Sequence, residues 1–212
     1  MSTAPLTFLE RELPPRFAEG LEQLRAATGP SSREHLDDVL AARGAVRFVI
    51  EGEGEVWLAV DQGTMSASRT RPEGVPARVA IAFAADVARE ALSLLTESGQ
   101  LDDPEGPKRF ARTFSARVEK ALEGQKLEFH VLLRDVPDRE DDVVIQVGIG
   151  TDTPPAKPQF TAAVSYDDLE DMRGGDLTPQ QVIGRLRLTG DASRAMALGM
   201  SLMQQGKPVS RK

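Results

Sequence analysis

The sequence predicts an α+β protein made of two copies of one unit, each a mainly antiparallel mixed sheet covered by helices on one face. Three observations lead there. Short runs place an apolar residue at every second position, the period of a strand with one buried face. Between them, apolar residues three and four apart mark helices with one buried stripe. These elements follow the same order in both halves of the chain, as an internal repeat requires.

Residues 1–13 read as a leader with scattered apolar residues, Leu6, Phe8 and Leu9. Pro14 and Pro15 open a helix to about Ala27 that buries Phe17, Leu21 and Leu24, and Gly29-Pro30 ends it. Ser31 or Ser32 caps a second helix carrying Leu36, Val39 and Leu40, which stops at Gly44. A meander follows, with inner faces Val46, Phe48, Ile50 and then Val56, Leu58, Val60. A weaker strand runs from Thr64 to about Thr70, and a fourth, with Val79, Ile81 and Phe83, follows the loop RPEGVPA. Asp86 caps a helix to about Ser98.

Gly99 to Pro107, rich in Gly, Pro and Asp and without periodicity, reads as a linker. One helix then carries Phe110, Phe114, Val118 and Leu122 at a spacing of four and stops at Gly124. Leu127, Phe129, Val131 and Leu133 mark a strand, VVIQV a second, and Phe160, Ala162 and Val164 a third. Asp167 caps the helix DDLEDMRG. Thr178 and Pro179 start another, and Leu186 and Leu188 alternate with arginines in a last strand. Gly190 gives the exit turn and Asp191 caps the closing helix. On that helix the apolar residues span an arc of about 200°, wider than the ~100° stripe one docking face needs. Met196, Met200 and Met203 form one flank, soft side chains suited to irregular contents. The arc fits a well-buried terminal helix, or one that packs on the sheet with one flank and lines an apolar cavity with the other.

In the repeat, Val46, Phe48 and Ile50 match Leu127, Phe129 and Val131, VWLAVDQG matches VVIQVGIG, and Asp86 matches Asp167. The length differences fall in two loops and compensate, as a duplicated fold tolerates. The first copy lacks the last strand, the Gly-Asp turn and a closing helix of its own. It is either degenerate, or closed by the helix from Phe110 to Leu122 that also opens the second copy.

A last strand, a Gly-Asp turn and a Met/Leu-rich helix after a Pro-containing helix resemble the end of the sterol carrier protein type 2 family. The resemblance rests on element order and on Gly184, Gly190 and Asp191, with no catalytic motif. It covers Val118 to Gln204, and reaches Leu36 to Leu95 only through the repeat. It implies two sterol-carrier-like repeats, with lipid in an apolar tunnel closed by the C-terminal helix. The expected divisions are a helical arm (1–30), a degenerate first repeat (31–104), a fuller second repeat (105–206) and a tail (207–212).

Composition narrows the chemistry. The 26 Lys and Arg against 33 Asp and Glu give a formal charge of −7, which argues against nucleic acid or an anionic membrane surface as main partner. Without cysteine there is no disulfide, thiolate nucleophile or cysteine metal site. His35 and His130, the two histidines, lack ligand spacing, and the carboxylates of RDVPDREDD lack the central Gly of a calcium loop. No serine has a nucleophile context. No apolar run reaches the ~18 residues of a membrane span, and the N-terminus carries no signal-peptide pattern, so a cytoplasmic protein is expected.

The leading expectation is therefore a non-enzymatic protein without metal or cofactor that carries a fatty acyl chain, isoprenoid or sterol-like lipid. The expected lining is Phe129, Val131, Ile145 and Phe160 from strands, and Met172, Ile183, Met196, Met200 and Met203 from covering helices, with the site in the second copy. The alternative is an accessory or scaffold protein that uses the fold for protein contacts, as a homodimer or with another chain. Trp57 and its repeat mate Val144 face away from the inner residues and are the expected interface positions.

Overall fold

The computed structural model describes residues 4–99 and 101–205. The first half holds α1 (Pro5–Arg11), α2 (Leu13–Ala26), α3 (Pro30–Leu40), β1 (Arg43–Glu51), β2 (Gly54–Asp61), β3 (Thr64–Ser68), β4 (Ala77–Ala84) and α4 (Ala85–Glu97). The second holds α5 (Gly106–Thr113), α6 (Ala116–Leu122), β5 (Leu127–Arg134), β6 (Val143–Ile149), β7 (Phe160–Ser165), α7 (Tyr166–Gly174), α8 (Pro179–Arg185), β8 (Arg187–Gly190) and α9 (Ser193–Gln205). The chain is α+β. Where each repeat was expected to have its own sheet, the strands form one mixed sheet of eight in the order β3-β2-β1-β4-β6-β5-β7-β8.

The two halves share a pairing pattern. β1 is antiparallel to β2 and parallel to β4; β5 is antiparallel to β6 and parallel to β7. Ala84 and Ser165 each precede a helix, and on that alignment Val79 corresponds to Phe160. The ladders then set Phe129 where Val46 stands and Val147 where Leu58 stands, because Val46 pairs with Val79 and Leu58, and Phe129 with Phe160 and Val147. This moves the first two strands two residues from the sequence alignment. By the ladders it is Gln146, where the sequence alignment set Val144, that stands in the second half at the position Trp57 holds in the first; a shift of two residues leaves period-two alternation unchanged.

Beside β4, Gln146–Ile149 occupies the register that Arg187–Gly190 occupies beside β7. Beside β6, β4 takes the side that β3 takes beside β2. The pairing of β4 with β6 joins the strands of the two halves into the one sheet.

Alternation along each strand assigns its side chains to two faces. One face carries Val60 and Met65 under α2, α3 and α5, and Ile50 and Val56 under α1 and α4. The same face carries Leu127 and Ile149 under α6 and α9, Phe160 and Ala162 under α9, and Val164 under α7 and α8. On the other face Trp57, Ala45 and Ala59 are covered by Val75 and Ala77, at the end of the loop before β4.

Several local expectations change. The leader is the helix α1, opened by Pro5 at its first turn. The single helix expected through Phe114 is two helices. Phe114 leaves helical geometry at φ −99°, ψ 79°, and the Ser115 hydroxyl accepts from the Val118 N–H at 3.3 Å. The break turns Phe114 edge-on to Phe17, ring centroids 6.0 Å apart, and frees α6 to reach Val79 and Leu127. Asp86 and Asp167 lie in the first turns of their helices, not at the caps, which are Ala84 and Ser165. Thr178 caps α8 as expected, within a full capping box with Gln181.

Gly20 and Gly190 are among the glycines required by close approach. Gly20 lets α2 cross α5, since a Cβ there would sit 2.0 Å from the Pro107 carbonyl oxygen. Gly190, at φ +96°, makes the turn out of β8, where a Cβ would meet the Gln159 carbonyl oxygen at 2.5 Å.

Two outcomes follow from this architecture. Because β4 and β6 complete each other, the intact chain should melt in one calorimetric transition, and residues 1–104 alone should not form a folded monomer; two transitions, or a monomeric folded fragment, would contradict this. Glu119 of α6 accepts from the Arg43 N–H at 2.7 Å, and burial raises its pKa, aided by Asp38 and Asp61 and opposed by that bond and by Arg78. A raised folded pKa stabilises at low pH and is lost as pH rises through it. Glu119→Gln should therefore melt higher than wild type at pH 8 and lose that lead at pH 4, with an equal difference at both pH values counting against this account.

Candidate functional site

The covered face is not uniformly closed. At its flanks Val56, Leu58 and Val60 of β2 and Phe160, Ala162 and Val164 of β7 are buried. On the central strands β1, β4, β6 and β5, the apolar side chains of the same face are mostly half-buried: Val46, Phe48, Ile81, Phe83, Ile145, Val147, Phe129 and Val131. An apolar sheet centre ordinarily packs more tightly than its margins. Here the order is reversed, and the helices leave room over the middle.

Part of that room is a hollow of about 200 Å³ between α1, α4 and the sheet. Pro5, Phe8 and Leu9 line it from α1, and Val87, Ala88, Ala91, Leu92 and Leu95 from α4. Ile50, Phe83 and Ile145 form its floor. Every lining side chain is apolar. The α4 positions recur at helical spacing and give one stripe. α1 is held at its far end by Glu10, which accepts from Arg69 Nη2 at 2.7 Å. The other edge of α4 is tied to the loop between β5 and β6 by Arg139, which reaches Asp86 and Glu90 at 2.8 Å each. Those bonds hold the Asp86 carboxyl below its usual range, with its own helix's N–H groups helping.

The expected lining residues divide. Phe129 and Phe160 stack with centroids 4.8 Å apart and pack against Ala192, just before α9, and Ala195 within it. Val131 and Met172 pack around Val164 and Leu177. Ile145, the register partner of Val131, lies in the floor of the hollow and joins the two regions. Ile183 is 50% exposed and Met196 is 58% exposed, so neither side chain is enclosed. The side chains of Met200 and Met203, and the tail 207–212, lie outside the described residues. The hollow is thus bounded mainly by the first half, where the sequence had placed the site in the second. Phe8, Leu9 and the α4 stripe are not among the lining residues that the sequence suggested. The signal available was Pro5, Phe8 and Leu9 at spacings of three and four behind a helix-starting proline.

On the far face Trp57 is 3% exposed and packs on Val75 and Ala77 of its own chain, while Val144 is 39% exposed. Trp57 Nε1 donates to Glu55 at 3.1 Å, and the Arg47 guanidinium lies 5.6 Å from the ring centroid. Arg47 also bonds Glu55 and donates to the Asp152 carbonyl at 2.7 Å, tying the second half's loop across the first half's strands. Burial works against the Glu55 charge, but the bonds from Arg47 and Trp57 outweigh it and hold its pKa below the usual range.

The histidines are apart. His130 Nε2 donates to the Pro155 carbonyl at 2.9 Å, and His35 Nε2 lies 3.0 Å from Arg112 Nη2. Burial, then Arg112 and Arg117, lower the His35 pKa and favour its neutral form. Among the described residues no group of three His, Cys, Asp or Glu side chains could hold a metal ion, and no helix is long and apolar enough to cross a membrane.

No family model and no curated protein matches the chain. The solution structure of the sterol carrier protein domain 2 of Helicoverpa armigera is similar at 21% identity, over 58% of this chain and 91% of that one, with a TM-score of 0.29. A superposition that loose carries no residue from one chain to the other.

Trp57 offers a direct check of the far face. Its native emission should be quenched only weakly by acrylamide, and Arg47→Ala should raise that quenching at least about twofold by freeing the second half's loop. Native quenching like that of free indole would mean that the loops do not cover this face.

Proposed function

We propose that the protein binds the apolar chain of a lipid, a fatty acyl or isoprenoid chain ahead of a rigid sterol-like body, without making or breaking bonds. The observation that supports this reading best is the half-buried apolar centre of the covered face, continuous with the all-apolar hollow between α1 and α4. At about 200 Å³ the hollow is smaller than the ~300–1,000 Å³ of a pocket that encloses a whole ligand. It suits the end of a chain, with the remainder along Ile145, Val131 and Phe129. Each methylene buried there contributes about 0.8 kcal/mol. On the same reading the two halves descend from one duplicated unit, and each surrendered an edge strand to the other.

A second reading is supported by Ile183, Leu188 and Met196, exposed on α8, β8 and α9 around one end of the sheet. Such residues suit a scaffold that meets another protein there.

The readings separate on a substitution at Ala91, which lines the hollow yet is itself exposed. Ala91→Trp should fill the space and weaken binding of a fluorescent fatty-chain probe at least about tenfold. Its melting temperature should stay within about 2 °C of wild type, as for a surface change of about 0.5 kcal/mol or less. A folded wild-type protein that neither binds the probe nor carries lipid in native mass spectrometry would favour the scaffold.

A further inference from the structure

Among the described residues β8 pairs with β7 alone, and all of Arg187–Gly190 is exposed. The ladder fixes which backbone groups this strand leaves free. The Asp191 N–H donates to the Gln159 carbonyl at 3.3 Å, so these two residues form a hydrogen-bonded pair. Such pairs alternate along an antiparallel ladder. The backbone groups of Arg187 and Thr189 therefore point at β7, and those of Leu188 and Gly190 point away from it. The Gly190 carbonyl accepts from the Ala192 N–H at 3.2 Å and keeps a second lone pair. Charge and apolar surface gather on the same edge. Arg187 is exposed and has no ion pair among the described residues, and Asp191 engages Ser193 through Oδ1. Leu188 shares the helix-covered face with Ala162, its register partner, yet is 40% exposed. Ile183 before it and Met196 after it are exposed as well.

We propose that the β8 edge pairs with the β8 edge of a second copy, antiparallel about a two-fold axis, so that the sheet runs on across a dimer. In one register the edge is its own complement. Leu188 stands opposite Gly190 of the other copy, and the free N–H and C=O groups of these two residues bond each other. Arg187 then faces Asp191 of the other copy on both sides of the axis, and Thr189 faces Thr189. The axis passes through the sheet from face to face, so both helix-covered faces lie on one side. There the two Leu188 side chains, each over a glycine, are diagonal neighbours within reach of each other. The other register that bonds the free groups sets Leu188 against Leu188 and Arg187 against Thr189, and leaves the charges unmatched. A two-fold interface demands a self-complementary patch, which is what singles out a second copy over an unrelated strand. Pairing also removes a row of bare backbone groups. The dimer is independent of the lipid reading, because none of these residues lines the hollow.

Sedimentation equilibrium of the whole chain tests this. The wild type should dimerise with a dissociation constant on the order of 10 μM, as suits a small interface. Arg187→Asp sets like charges opposite each other at both ends of the pairing and should weaken the dimer at least about tenfold. Asp191→Arg alone should weaken it as well. Mixed together, the two variants restore opposite charges at both ends and should form a heterodimer about as tight as the wild type, which general destabilisation would not produce. If Asp191→Arg does not fold for want of its helix cap, Leu188→Pro serves instead. It removes an N–H that β7 does not use, so the chain should keep its far-ultraviolet circular dichroism and lose the dimer. A wild type still monomeric at about 300 μM, far above that constant, would overturn the proposal. So would a dimer as tight as the wild type in Arg187→Asp or in a folded Leu188→Pro.

Discussion

The fold depends on the ladder between β4 and β6. Four residue pairs, Val79 to Ala82 against Gln146 to Ile149, turn two short sheets into one. A bare strand edge is a row of unpaired N–H and C=O groups and an invitation to aggregate. Without this ladder β4 would be a bare edge of the first-half strands and β6 a bare edge of the second-half strands. Each edge covers the other. The same seam carries Ile145 into the floor of the hollow and brings the acidic segment 134–142 beside α4, where Arg139 fixes it.

Helices on one face and strands beneath them follow from period alone, so most elements were legible in the sequence. Gly190 and Thr178 marked their turn and cap, and Val56, Leu58 and Val60 declared a buried face. What was not legible has physical causes. A shift of two residues preserves every alternation, so the strand register between the halves is visible only in the hydrogen-bond ladders. The spacing of four runs through the break at Phe114, with Phe110 and Phe114 packed in the cluster around α2 and α3 and Val118 and Leu122 around Leu127. Ser115, with Glu119 four residues later, was the available sign of a new start.

The site was harder to read than the fold. Strand residues Phe129, Val131, Ile145 and Phe160 share one face because alternation says so. Helical residues such as Ile183 and Met196 are placed by packing between elements distant in sequence, which periodicity does not encode. The hollow arises where α1, α4 and the seam fail to meet completely, and an absence of contact leaves no pattern in a sequence.

The far face has a separate consequence. Among the described residues no helix packs around Trp57; Val75 of the proline-rich connection and Ala77 at the start of β4 do so, and the segment around Asp152 and Pro155 is tied over the neighbouring strands by Arg47 and His130. Surface loops usually drift in length over evolutionary time. These two act as the second layer of the protein, so shortening either would strip a sheet. Variation in length, and any grafted insertion, belongs instead at the charged tip between β5 and β6 beyond Arg139, where Glu140, Asp141 and Asp142 are exposed.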